Sequence, residues 1–237
     1  MTRQKRYIFS GLCLCLALCG CVNLKQPGYE LSYYTLEYPR IEEMLLSPLP
    51  VVIRVAPFSA APAYDTHRMV YRDAPFTRNT YAYHRWRTSP GDLVTYRLRQ
   101  DLTTTGLFAA VLASDTGLPH DYTLTGTVDE FFGRTDGKPS EAVLTVSVTL
   151  AERDGNGMGD TVWLHKSYRI TAPSNGTGPP ALVTAMSLAM SKLSKRIITD
   201  LHGHLSSRDN ENSTRPSGTL KSIPKADRPT HRFTLFR

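Results

Sequence analysis

The chain has 237 residues and a net charge of +7, a length that suits one domain with extensions. All four cysteines (Cys13, Cys15, Cys19 and Cys21) lie within the first 21 residues, which excludes disulfides, thiol chemistry and cysteine-ligated zinc in the body. The basicity sits at the ends, three bases before residue 21 and a surplus of four over 207–237, so the body between them is neutral overall and gives no reason to expect nucleic-acid binding.

Arg3, Lys5 and Arg6 precede an apolar run from Tyr7 to Leu18, the layout of an export signal. The run is shorter than the roughly 20 residues a spanning helix needs. Leu18-Cys19-Gly20-Cys21 then forms a lipobox, with a bulky aliphatic residue at −3, a small one at −1 and a cysteine at +1. Gly20 fits the tight pocket before the cut, whereas cutting before Cys19 or Cys15 would place Leu18 or Leu14 there. Cys21 is therefore expected to be the lipid attachment site, carrying an S-linked diacylglycerol and an N-linked acyl chain such as palmitate. Residues 1–20 read as the signal peptide and 21–32 as the lipidated tether. An ordinary secretory signal with incidental cysteines is the competing reading. Val22 follows the lipobox where an Asp would signal inner-membrane retention, so the expected location is the outer membrane, facing the periplasm.

The body, 33–206, opens on a strand at Tyr33–Leu36. A connection from Pro39 to Pro50 follows, with a helical hint at Ile41–Leu46, and then a buried strand at Val51–Val55. Arg68–Arg72 and Thr80–His84 read as a hairpin. Ser89-Pro90-Gly91-Asp92 is a helix opening, with a Ser cap, Pro at the first helical position and an acid three residues after the cap. Val94, Leu98 and Leu102 mark its apolar side, and Gly106 can end it. After a strand at Leu107–Leu112, Tyr122–Asp129 and Ala142–Leu150 alternate apolar and polar residues with the period of two of a half-buried strand. The turn Asp154-Gly155-Asn156-Gly157 leads into Thr161–Thr171, which makes an antiparallel meander.

Pro179-Pro180 opens a second helix with the apolar line Leu182, Met186, Ala189, Leu193, Ile197 and Leu201, and with Lys192, Lys195, Arg196 and Asp200 mostly off it. The line is expected to pack on the sheet; a lipid-binding face is the other reading. Residues 207–237 are too polar to offset the cost of ordering and are expected to form a disordered basic tail.

Seven arginines fall in 68–99, and nine acids in 115–160. These blocks can face each other inside one copy. On different sides of the body they could also join neighbouring copies head to tail in a ring. Trp86 is expected to pin the loop before the Ser89 helix, with an exposed partner anchor as the alternative. No G-x-S-x-G, Walker loop or H-E-x-x-H occurs. Asp154–Asp160 resembles a calcium loop, but His165 stands where an EF-hand needs its bidentate Glu. His202 and His204, two apart on a helix, point in different directions. No catalytic residue, cofactor or metal site is expected.

The ordered set of features resembles the ABC-type transport auxiliary lipoproteins. The resemblance runs from Cys21 through Tyr33-Tyr34-Thr35-Leu36 and Val52-Ile53-Arg54-Val55-Ala56-Pro57 to Tyr64 and Arg68–Arg72. It continues with Tyr81–Trp86, Leu93–Leu102, Gly106-Leu107-Phe108 and the strands and helix that follow, to about residue 205. One departure lies after Trp86, where the family usually has a small residue, an acid, Pro and Leu, and this chain has Arg87-Thr88-Ser89-Pro90-Gly91-Asp92-Leu93. The resemblance implies an α/β sandwich in one domain, its mixed, largely antiparallel sheet covered by two main helices. It also implies partners: a permease, an ATPase and a protein with mammalian-cell-entry (MCE) domains, together moving lipid. The expected role is to dock that machine at the outer membrane. A structural or regulatory envelope lipoprotein, such as a cell-wall synthase activator or a secretion-channel subunit, is the alternative, and an envelope hydrolase ranks below both.

Overall fold

A computed structural model of the chain describes residues 28–41, 44–137, 139–153 and 160–214. Residues 1–27, which hold the expected signal peptide and Cys21, and residues from 215 onward lie outside the described residues. The elements run β1 (Ser32–Tyr34), β2 (Leu49–Val55), β3 (Ser59–Ala60), β4 (Arg68–Arg72), β5 (Asn79–Trp86), α1 (Pro90–Thr104), β6 (Phe108–Ala113), β7 (Tyr122–Arg134), β8 (Glu141–Glu152), β9 (Thr161–Pro173) and α2 (Pro179–Thr214). Together they form a nine-stranded mixed sheet with two helices, an α/β fold.

β7 is the trunk of that sheet. One of its edges pairs antiparallel with β8, and β8 pairs antiparallel with β9, so the meander expected from the alternating residues is present. Along its other edge β7 takes β2, β3 and β4 in turn, each parallel to it. β2 carries β6 outward, and β4 carries β5 and then β1. The sheet therefore forks.

Gly126 and Gly91 allow the fork and the first helix to close on each other. A Cβ at Gly126 would stand 2.5 Å from the Phe58 ring, and one at Gly91 would stand 2.4 Å from the Phe58 carbonyl oxygen. Only a residue without a side chain lets that backbone and ring approach so closely. α1 begins as its sequence dictates: the Ser89 hydroxyl accepts from the Asp92 amide at 3.2 Å, and Pro90 fills the first turn. Leu93, Val94, Leu98 and Leu102 are buried, and Gly106 has φ +64° just after the helix. On α2 the whole predicted line from Leu182 to Leu201 is buried, which makes it the packed side and not a lipid-binding face. Each such leucine or isoleucine contributes about 1.5–3 kcal/mol by leaving water.

Three expectations change. The helical hint at Ile41–Leu46 is not realised: Ile41 and Met44–Leu46 are non-helical, and Glu42 and Glu43 lie outside the described residues. Prolines 39, 48 and 50 crowd that stretch, while Ile41 is drawn into the core. The first strand ends at Tyr34, because Leu36 turns away from the sheet edge to be buried. α2 runs to Thr214, so the first eight residues of the expected disordered tail are helical. Arg208, inside that extension, pairs with Glu152 at 2.7 Å and lies over the Trp163 ring, 4.4 Å from its centroid.

Candidate functional site

The described chain begins at Gly28, seven residues after Cys21. Tyr29 stacks on Tyr83 with centroids 4.5 Å apart, and β1 then lies parallel on β5 at the end of one branch. Residues 35–41 pass from there over both helices. The Glu37 amide donates to Ser187 Oγ on α2 at 3.1 Å, and the Tyr38 hydroxyl donates to Asp101 Oδ2 on α1 at 2.6 Å. A pull on the N-terminal tether is thus resisted by both helices as well as by the sheet edge.

Asp101, the α1 carboxylate that holds this strap, is 4% exposed. Burial pushes its carboxyl above the usual range; the Ser194 and Tyr38 hydroxyls and the Arg97 guanidinium offset this only in part. Burial and the adjacent Asp101 hold the Tyr38 phenol protonated. A carboxyl whose folded-state pKa is raised favours folding below its ordinary pKa, and that contribution is lost as pH rises through the folded-state value. Asp101→Asn, which cannot ionise, is therefore expected to lag wild type most in acid and to close the gap towards neutrality. Urea unfolding at a series of pH values reads this, and a gap that does not change with pH would contradict it.

Among the described residues one ion pair joins the two charge blocks inside one copy. Arg72 of the arginine-rich stretch pairs with Asp136 of the acid-rich stretch at 2.8 Å. Glu130, Glu141 and Glu152 pair with Arg169, Arg134 and Arg208. Arg78 and Arg97 lie over aromatic rings, 4.4 Å from the Phe132 centroid and 4.1 Å from that of Tyr38, and so act as packing groups. Trp86 is 1% exposed and meets Phe131 edge to face at 5.1 Å, which removes the exposed-anchor reading and leaves the core role.

His202 Nε2 is 2.8 Å from the Ser47 carbonyl oxygen and buried, while His204 is exposed, so the two form no joint site. Among the described residues there is no group of three or more His, Cys, Asp or Glu side chains that could hold a metal ion. Of the Asp154–Asp160 segment, residues 154–159 lie outside the described residues. No helix among them is long and apolar enough to cross a membrane.

One cleft was missed by reading the sequence. Lys166, Tyr168 and Arg169 of β9 and Lys195, Arg196 and Asp200 of α2 line a space of about 490 Å³. Lys166 Nζ and the Tyr168 hydroxyl both donate to Asp200 Oδ2, at 2.6 and 2.7 Å. Burial works against the Asp200 charge, but these two donors outweigh it and hold the carboxyl below its usual range. Lys195 and Arg196 have no carboxylate partner among the described residues. The only hint in the sequence was their position off the apolar line of α2, which is equally the mark of a solvated face.

The strap and body described above match a family model, the ABC-type transport auxiliary lipoprotein component, over residues 34–198. The chain belongs to this family. It is a family of transport auxiliary lipoproteins and not of enzymes. The fold recurs in a solved protein of Xanthomonas campestris, 19% identical, covering 77% of this chain and all of its own length with a TM-score of 0.65. A second solved protein is 16% identical and covers 73% of this chain and 99% of its own, with a TM-score of 0.56. No curated protein matches the chain. What the family shares with this sequence is thus the strap from Tyr34, both branches of the sheet and most of α2.

Proposed function

We propose that this auxiliary lipoprotein serves an ABC/MCE-type lipid-transport system, docking the machine at the outer membrane from the periplasmic side. The observation that supports the reading is the joining of two features in one chain: a lipobox ending at Cys21, and a body matching the family from residue 34 onward. The anchor holds the body close to the bilayer. The strap ties that anchor to both helices, so that a load on a docked partner reaches the lipid through the folded core. The body's task is to position, and its partners are an MCE-domain protein, a permease and an ATPase.

A head-to-tail ring of copies would suit a collar around a tubular MCE assembly. One pair, Arg72 with Asp136, already joins the two charge blocks inside a copy, and exposed pairs contribute only about 0–1 kcal/mol each, so charge alone would not hold such a ring. Apolar contact would have to supply the rest.

Cross-linking in intact envelopes followed by isolation of the chain tests both statements. The expected products are adducts with an MCE-domain protein and its permease, together with a ladder of multiples of the chain. Adducts with a cell-wall synthase alone would replace the transport reading, and a lone monomer band would end the ring.

A further inference from the structure

β9 is a 13-residue strand that pairs with β8 alone, so one of its edges is open among the described residues. Its N–H and C=O groups on that side have no backbone partner there. Open edges invite pairing with another chain, and natural proteins usually blunt them by shortness, bulges, proline or charge. The other edge strands here are short, three residues for β1 and six for β6. β9 is long, its one register shift lies at the Leu164/Val162 end, and no proline interrupts it before Pro173.

The charges near this edge do not shield it. The Lys166 ammonium is drawn towards α2 by Asp200, and the Arg169 guanidinium is held by Glu130 on the opposite face. The 490 Å³ cleft is lined by four successive residues of β9, Lys166–Arg169, whose side chains alternate between the two faces of the sheet. Across it stand Lys195 and Arg196, both exposed and without a carboxylate partner among the described residues.

We propose that the open edge of β9 and the cationic side of α2 form a docking site for an extended acidic peptide segment of a partner, which adds to the sheet as a further strand. Backbone hydrogen bonds to β9 supply the pairing, and alternate side chains supply the selectivity. Side chains on one face of a strand recur about every 7 Å, so acids at every second position meet the α2 cations while the intervening residues face away. The site is independent of the transport role: it would take such a segment whether the partner is an MCE-domain protein or another envelope protein.

The test uses the full-length lipoprotein in detergent and a fluorescent ten-residue peptide of alternating valine and glutamate, read by anisotropy. The peptide is expected to bind. N-methylation of every second amide in one phase should abolish binding, and in the other phase should leave it intact, because only one set of amides faces β9. The double variant Lys195→Glu/Arg196→Glu should weaken binding by about tenfold or more, since it replaces attraction by repulsion, with an unchanged thermal melt. Three results would each overturn the proposal: no binding, equal binding by both methylated peptides, or equal binding of a valine–lysine peptide. Pairing of two copies through this edge that the acidic peptide does not displace would overturn it as well.

Discussion

Cys21→Ala is expected to abolish incorporation of labelled fatty acid and to leave the signal of residues 1–20 uncut. The thiol takes the diacylglycerol before the cut frees the amine for the N-linked chain, so its loss should prevent both attachments. The small Gly20 is the reason Cys21 rather than Cys19 is expected at the cut. Two or three acyl chains, at roughly 0.8 kcal/mol per buried CH₂, hold a protein on a bilayer effectively without release. The folded body begins at the strap and sheet edge, after the tether, so the variant should fold as wild type does. Acyl label retained on the Ala variant would show that Cys21 is not the anchor.

Trp86→Ala is expected to be the most destabilising single truncation in the β4–β5 branch. The ring is almost completely buried, with its edge-to-face contact to Phe131 bridging the branch and the trunk strand β7. Removing a buried tryptophan costs about 3–5 kcal/mol. For a fold of this size that is a fall in Tm of about 6–20 °C. The indole N–H has no partner among the described residues, so Trp86→Phe sacrifices no hydrogen bond and should keep most of the stability. Thermal melts of both variants read this, and an Ala variant as stable as wild type would contradict the core role.

The parts of the fold that were legible in the sequence are those coded locally. Ser89-Pro90-Gly91-Asp92 names its own helix start, and the line from Leu182 to Leu201 names the buried side of α2. The period of two in β7 and β8 names the meander. What was hidden depends on pairing between distant segments. Nothing in Val51–Val55 or Arg68–Arg72 says that both lie along the same edge of β7, because a parallel pairing leaves no turn to read. The register shift after Val128 places Phe131 on the helix side with Trp86 and puts Phe132 on the far side under Tyr64. That second cover explains why Val143 and Thr145 are buried although the alternation of β8 marks them as outward. The helical extension to Thr214 was obscured by its polar composition, and Arg208 supplies the contacts that the missing apolar residues do not. The β9 cleft was illegible for a similar reason: unpaired and paired cations look alike in a sequence, and only the pairing of Lys166 and Arg169 sets Lys195 and Arg196 apart.

A role in lipid transport is tested most directly by following pulse-labelled phospholipid between the inner and outer membranes of cells lacking this chain. A changed distribution is expected in the deletion strain, restored by the wild-type chain and not by Cys21→Ala. A distribution identical in all three strains would contradict a role in lipid transport.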